Sequence, residues 1–173
     1  MNSKKMGMRM KRIFVNAEAC TGCGLCQLLC SVHKTGQWHP ALARIKIKEM
    51  PELELNVPVL CLHCSNPPCE VYCVMNLIYK DPNTGYTLRR EDKCIGCRAC
   101  EIACPFSAAV MDPIREVVVN CDLCEGDPLC VSGCPEGALL YMEDSEAGER
   151  KRKAAVSLGA WRASRPRDGR GSL

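Results

Sequence analysis

The chain has 173 residues, of which sixteen are cysteine and only eight are aromatic, and its formal net charge is +3. That length allows one domain or two small ones, but eight aromatic side chains are too few to fill the core of such a chain. No apolar run is long enough to span a membrane, and the first twelve residues lack the apolar segment of an export signal. We therefore expect a cytoplasmic chain with no membrane span, in which disulfides are disfavoured and clustered cysteines bind metal.

Short strand and helix patterns alternate along the chain. Strands are predicted where apolar and polar residues alternate or β-branched residues concentrate. In chain order, the predicted elements are a strand at 12–16, a helix at 27–33, and strands at 43–48, 56–60, 77–80, 86–89, 117–120 and 138–141. The turn-rich segment 81–85 should join two of these strands in a hairpin. The pattern predicts an α+β fold of short elements.

The positive charge comes from the C-terminal end of the chain. Residues 1–149 carry a net charge of −4 and residues 150–173 carry +7. We expect residues 1–11 to be a disordered N-terminus and residues 150–173 to be a basic tail, either solvated or ordered against an acidic partner surface. Because the rest of the chain is net negative, we expect no nucleic-acid binding.

The sixteen cysteines form four groups of four. Two groups follow C-x2-C-x2-C-x3-C, and the other two widen the second gap to four or five residues. The groups are Cys20, Cys23, Cys26 and Cys30; Cys61, Cys64, Cys69 and Cys73; Cys94, Cys97, Cys100 and Cys104; and Cys121, Cys124, Cys130 and Cys134. The first spacing, followed by proline after Cys104, is the bacterial ferredoxin signature for [4Fe–4S] ligation. The sequence therefore predicts four [4Fe–4S] clusters, whose bulk replaces the missing aromatic core.

The spacing has a mechanical reason. Three thiolates within seven residues let one loop wrap a cluster, while the fourth cysteine starts a short helix and binds the other cluster of a pair. Structural zinc normally uses separated C-x2-C pairs, a disulfide framework needs an oxidising compartment, and a catalytic thiol stands alone near a base. None of these alternatives fits. The spacing leaves open whether the first group pairs with the second or with the fourth.

Three cysteine-containing runs resemble a known family. They are residues 61–69 (CLHCSNPPC), 94–106 (CIGCRACEIACPF) and 121–124 (CDLC). They resemble the four-cluster iron–sulfur subunits of molybdenum and tungsten oxidoreductases, of which the dimethyl sulfoxide reductase electron-transfer subunit is the type member. Small subunits of tungsten aldehyde oxidoreductases are related. The resemblance spans residues 12–143.

The resemblance implies nested pairing of the four groups. The implied ligand sets are Cys20, Cys23, Cys26 and Cys134; Cys30, Cys121, Cys124 and Cys130; Cys73, Cys94, Cys97 and Cys100; and Cys61, Cys64, Cys69 and Cys104. It also implies two bacterial-ferredoxin-like lobes. Lobe 1 would comprise residues 12–60 plus 105–149, with an insertion at 31–60, and lobe 2 would comprise residues 61–104.

The resemblance further implies a non-catalytic electron-transfer subunit. Such a subunit carries single electrons through four clusters between a catalytic molybdenum or tungsten subunit and a second redox partner, here a flavoprotein or a second copy of this chain. A freely diffusing polyferredoxin is the alternative. No nucleophile–base pair or phosphate loop suggests catalysis by the chain itself.

The resemblance also implies an orientation. In the family, the cluster built from the first three cysteines and the last one faces the catalytic subunit, so we expect the Cys20 set to do so here. We expect the Cys61 set at the opposite end, facing the second partner. His63, between two cysteines, should face solvent or a partner, with a hydrogen bond to a cluster sulfur as the alternative.

Overall fold

The computed structural model describes residues 10–145, so the predictions for residues 1–9 and for the tail at 150–173 lie outside the described residues. The described elements are short, as the cysteine loops between them require. They are β1 (Lys11–Val15), α1 (Leu25–Thr35), β2 (Lys46–Met50), β3 (Leu55–Val59), α2 (Pro68–Val71), β4 (Ile78–Lys80), β5 (Thr87–Arg89), α3 (Ala99–Ile102), β6 (Val110–Asp112), β7 (Val117–Val119), α4 (Leu129–Ser132) and β8 (Leu139–Glu143). The predicted α+β class is confirmed.

The strands between residues 10 and 145 form four separate two-stranded antiparallel sheets. β1 pairs with β8, so that Ile13 lies opposite Tyr141 and Val15 opposite Leu139. Because β1 leads into the first cysteine group and β8 follows the fourth, this ladder brings the two ends of the described chain together. The other sheets are the hairpins β2–β3, β4–β5 and β6–β7, and the predicted hairpin around residues 81–85 is confirmed.

Two hydrophobic clusters fill the interior, and small aliphatic residues and cysteines dominate both. The first consists of Ile13, Cys26, Cys30, Ala43, Ile45, Leu60, Cys121, Leu123, Cys130 and Leu139. The second consists of Ile78, Cys100, Ala109 and Val118. No Phe or Trp is among the buried residues of the described region. This agrees with the small number of aromatic residues in the sequence. Among residues 10–145, no helix has the length and apolar character needed to cross a membrane.

The structure differs from the sequence prediction in several places. The fourth cysteine does not start a short helix in the last three groups, because α2, α3 and α4 contain the third cysteine and end before the fourth. Lys11, expected in the disordered N-terminus, belongs to β1 and pairs with Glu143. α1 extends beyond the predicted 27–33 at both ends, because Gly24 and Gly36 cap it in the left-handed conformation. β2 starts at Lys46 instead of residue 43, because a 3-10 turn at Pro40–Leu42 precedes it and the Arg44 backbone N–H donates to Cys30 Sγ instead of to a strand partner. β6 was not predicted. Its hairpin with β7 contributes Val118 to the second cluster, although the sequence-based division assigns residues 105–149 to lobe 1.

Candidate iron–sulfur cluster sites

Four cavities in the described structure are each lined by four cysteines. We name them A (Cys20, Cys23, Cys26 and Cys134), B (Cys30, Cys121, Cys124 and Cys130), C (Cys61, Cys64, Cys69 and Cys104) and D (Cys73, Cys94, Cys97 and Cys100). The space between protein atoms at these sites, part of which is open to solvent, is about 320, 340, 410 and 370 Å³, respectively. Each cavity takes three cysteines from one group and one from another. The structure thus brings all sixteen predicted residues together in fours, and cluster ligation by each set stays a prediction.

The loops that present the cysteines repeat one backbone conformation. The residue immediately before the second cysteine of each group has a positive φ: 75° at Gly22, 49° at His63, 66° at Gly96 and 60° at Leu123. Glycine adopts this conformation without strain, whereas His63 and Leu123 are held there at a cost. Unrelated side chains therefore share one loop geometry, which turns the chain around each cavity.

Backbone N–H groups are aimed at the cysteine sulfurs. The N–H donors to sulfur are Arg44 to Cys30 at 3.2 Å, Leu77 to Cys73 at 3.3 Å, Ala108 to Cys104 at 3.4 Å, Leu123 to Cys121 at 3.4 Å and His63 to Cys61 at 3.5 Å. Such bonds stabilise negative charge on the sulfur and on any metal group that it ligates. They favour the thiolate form that iron binding requires.

Burial acts in the opposite direction on the thiols. It raises the pKa of Cys26 to about 11 and that of Cys130 to about 12. It also raises the pKa of Cys69 to about 11. Without a bound cation these side chains would remain neutral thiols at pH 7, so a positive metal core must compensate the charge of four clustered thiolates.

The arrangement fits a group larger than one ion. Within residues 10–145, no three His, Cys, Asp or Glu side chains converge closely enough to hold a single metal ion. Zinc would need four ligand atoms within about 2.0–2.3 Å of one point. Cysteines spaced around a wider cavity suit an iron–sulfur cubane, in which each thiolate binds a different corner.

The cavities form a row in the order A, B, C, D. Cys26 of cavity A lies in the first hydrophobic cluster with Cys30, Cys121 and Cys130 of cavity B, and Arg89 lines both C and D. Cys61 packs against the first hydrophobic cluster, whereas Cys73 and Cys104 pack against the second. Cavity C is therefore internal.

Surface exposure agrees with this order. Of the sixteen cysteines, only Cys23 in cavity A and Cys97 in cavity D are exposed. The expectation that the Cys61 set lies at the far end is wrong, because cavity D occupies that end.

His63 is buried instead of facing solvent. It has no exposed surface, and its Nδ1 accepts a hydrogen bond of 3.0 Å from the Thr87 backbone N–H. The His63 ring lies 5.0 Å from the Tyr86 ring. Burial, with Lys80 and Arg12 nearby, lowers the pKa of His63 to about 4, so the side chain is neutral at pH 7. The expectation of a solvent- or partner-facing histidine is wrong, because the left-handed turn directs the ring into the protein.

Two polar residues that the sequence analysis missed lie beside cavities C and D. Arg89 lines both, and Asn120 lines C. The Arg89 Nη1 donates to Cys100 Sγ at 3.3 Å, and its Nε donates to Asn120 Oδ1 at 2.8 Å. The only signal in the sequence is their position: Arg89 ends the strand that precedes the third cysteine group, five residues before Cys94, and Asn120 stands between β7 and Cys121.

Comparison with known proteins agrees with this geometry. Residues 54–145 match the family model described as a 4Fe–4S dicluster domain. The polyferredoxin-like subunit of aliphatic sulfonate oxidoreductase from Pyrococcus furiosus is 38% identical, over 72% of this chain and 71% of that one. One chain of the anaerobic dimethyl sulfoxide reductase from Escherichia coli is 30% identical, over 74% of this chain and 71% of that one.

A third relative is much longer than this chain. The beta subunit of NADH-dependent phenylglyoxylate dehydrogenase from Aromatoleum evansii is 32% identical over 79% of this chain, which spans only 31% of that subunit. All three relatives are named as subunits or chains of oxidoreductases.

Proposed function

This chain belongs to the 4Fe–4S dicluster domain family of oxidoreductase electron-transfer subunits, and from that membership we propose that it carries single electrons through four [4Fe–4S] clusters held in cavities A to D. The electrons pass between a catalytic oxidoreductase subunit and a second redox partner. The chain itself performs no catalysis.

The observation that carries this proposal is the row of four cavities, each lined by four cysteines. Electron tunnelling falls steeply with distance, so a conducting row needs adjacent sites inside and one site near the surface at each end. Exposure of Cys23 at one end and Cys97 at the other supports this role.

The ligand sets of the four clusters are part of the proposal. When bound, each cluster supplies a one-electron couple, and the protein tunes it through hydrogen bonds, nearby charge and exposure. The cysteines would hold the clusters, and the backbone N–H groups at their sulfurs would stabilise the negative charge. We also propose two ferredoxin-like lobes, with A and B in lobe 1 and C and D in lobe 2. Packing of Val118 with Ile78 supports moving hairpin β6–β7 into lobe 2.

End A is proposed to face the catalytic subunit, following the family resemblance, and we favour a molybdenum or tungsten enzyme as that partner. End D then faces the second partner, a flavoprotein or a second copy of this chain. Three large apolar side chains line cavity D yet remain exposed: Val74 at 69%, Ile95 at 63% and Met75 at 45%. Exposed apolar surface of this kind marks interaction sites and supports docking there. We propose the cytoplasm as the compartment, where clustered cysteines bind metal instead of forming disulfides.

The test is anaerobic affinity purification of the full chain from its native cells, with metal and pterin analysis of whatever co-elutes. A co-eluting large chain that carries molybdenum or tungsten supports the proposed partner. A holo-protein that elutes alone, and reduces several acceptors, instead identifies a diffusible polyferredoxin.

A further inference from the structure

Arg89 lies at the end of β5 between the last two cavities of the row. It is the one arginine that lines both C and D among the described residues. Its side chain is therefore placed where a single positive charge acts on two neighbouring cluster sites.

Three acceptors fix the Arg89 guanidinium in place. Its Nη1 donates to Cys100 Sγ at 3.3 Å and to the Val118 carbonyl at 2.8 Å, and its Nε donates to Asn120 Oδ1 at 2.8 Å. The Asn120 Nδ2 in turn donates to the carbonyls of Thr87 at 3.1 Å and Cys121 at 3.0 Å. Asn120 thus positions Arg89 and is itself held by backbone on two sides.

No carboxylate pairs with Arg89 in the described region, whereas five other cations there have carboxylate partners. The pairs found there are Arg12 with Asp144, Lys34 with Asp122, Arg44 with Asp122 and Glu91, Arg98 with Glu101, and Arg115 with Asp112 and Glu91. A partly buried positive charge without a counter-ion is unfavourable. The negative groups that Arg89 does face are the cysteines of C and D, and Arg89 lowers the pKa of Cys69, although burial outweighs it.

We propose that Arg89 is a potential-setting residue, positioned by Asn120, that raises the reduction potentials of the clusters in D and C above the values that the cysteine loops alone would give. This rests on the proposed function, since it requires clusters in both cavities. Reduction adds one negative charge to a cluster and no proton, and a fixed positive charge beside it stabilises that added charge. The effect is larger in D, where Arg89 donates directly to a ligand sulfur. Electrons are then held preferentially at end D, beneath the exposed apolar surface.

The test is an EPR-monitored redox titration of the full-length holo-protein and of three variants. Arg89→Gln should lower the reduction potential of the D cluster by at least about 59 mV. For one electron, that shift is a tenfold change in the ratio of reduced to oxidised cluster. The C cluster should shift less in the same direction, and A and B should not move. Arg89→Lys keeps the charge but loses the planar fork, so its shift should be smaller than that of Arg89→Gln. Arg115→Gln removes the same charge from a side chain that is 46% exposed and donates to carboxylates instead of to a cysteine sulfur, so solvent screening should make its shift much smaller than that of Arg89→Gln.

Iron content and EPR signals measured on the same samples separate the two proposals. If Arg89→Gln retains four clusters with unchanged potentials, the role of Arg89 is refuted while the proposed function stands. If the D-cluster potential shifts equally in Arg89→Gln and Arg89→Lys, a charge effect is refuted. It is also refuted if Arg115→Gln shifts that potential as much as Arg89→Gln does. If Arg89→Gln loses a cluster, the Arg89→Lys variant decides between the outcomes. A D-cluster potential near that of the wild type then supports the proposal, and a potential lower by about 59 mV or more refutes it.

Discussion

The Nη1 of Arg44 lies 2.8 Å from Oδ2 of Asp122, although the two residues are 78 positions apart. The other arm of the same guanidinium contacts Glu91 Oε1 at 2.8 Å. Asp122 also accepts from Lys34 at 2.9 Å, and Glu91 from Arg115 at 3.0 Å. This ion network connects the insertion, the loop of the fourth cysteine group and the segment before the third.

Replacing Arg44 by Met should loosen that connection. Only 11% of the Arg44 side chain is exposed, and two carboxylates would lose their shared partner. Removing one member of a buried pair costs about 3–5 kcal/mol. With Glu91 and Asp122 exposed by 21% and 29%, we expect about 1–3 kcal/mol. Because cluster loss is irreversible, the measurement is the urea concentration that bleaches the visible absorbance.

Arg98→Met is the matched control for the Arg44 variant. Arg98 pairs with Glu101 on the surface, and 59% of its side chain is exposed, so its loss should hardly change the midpoint. Equal midpoints for the two variants would show that the ion network does not stabilise the fold.

The cysteine chemistry could be predicted from the sequence because the ligand spacing is local. Groups of four within a dozen or so residues fix both the loop and the type of cofactor, and the family membership and α+β class followed. The hairpin at residues 81–85 was equally local. β6 was missed because Val110–Asp112 has no alternation of its own and becomes a strand only through pairing with Val117–Val119.

The contacts around the cavities could not be predicted, because they join distant segments. His63 is separated by 24 positions from its partner Thr87, and Arg89 by 31 from Asn120. The order of the cavities likewise depends on how the lobes pack, so the sequence misplaced cavity C at the end. The left-handed backbone of His63 could have been suspected from Gly22 and Gly96, which occupy the same place in their loops.

Gly96 should not tolerate a side chain. Its φ is +66°, and a Cβ there would clash with the Glu116 carbonyl oxygen, which is backbone and cannot rotate away. Gly96→Ala should displace the loop that carries Cys94 and Cys97 and remove the D cluster, about four iron per chain.

Gly36→Ala controls for the backbone strain alone. Gly36 has a similar φ of +71°, but a Cβ at this position would meet nothing within 4 Å. Its substitution should cost about 1–2 kcal/mol of stability and no iron. Iron analysis of both purified variants is the measurement, and full iron content in Gly96→Ala would contradict the expectation.

Nested pairing can be tested by counting iron in double variants. If Cys26 and Cys134 ligate the same cluster, Cys26→Ala and Cys134→Ala should each lose about four iron and their combination no more. Combining Cys130→Ala with Cys134→Ala should instead remove about eight iron per chain, because each substitution removes a ligand of a different cluster. The reverse result, additive losses for the first pair and a single loss for the second, would place Cys134 in cavity B.

The central claim is that this chain holds four [4Fe–4S] clusters, and iron and acid-labile sulfide analysis of the anaerobically isolated full chain tests it most directly. Sixteen cysteines in four sets predict about sixteen iron and sixteen sulfide per chain, with no zinc. About eight iron per chain, or stoichiometric zinc, would contradict the account.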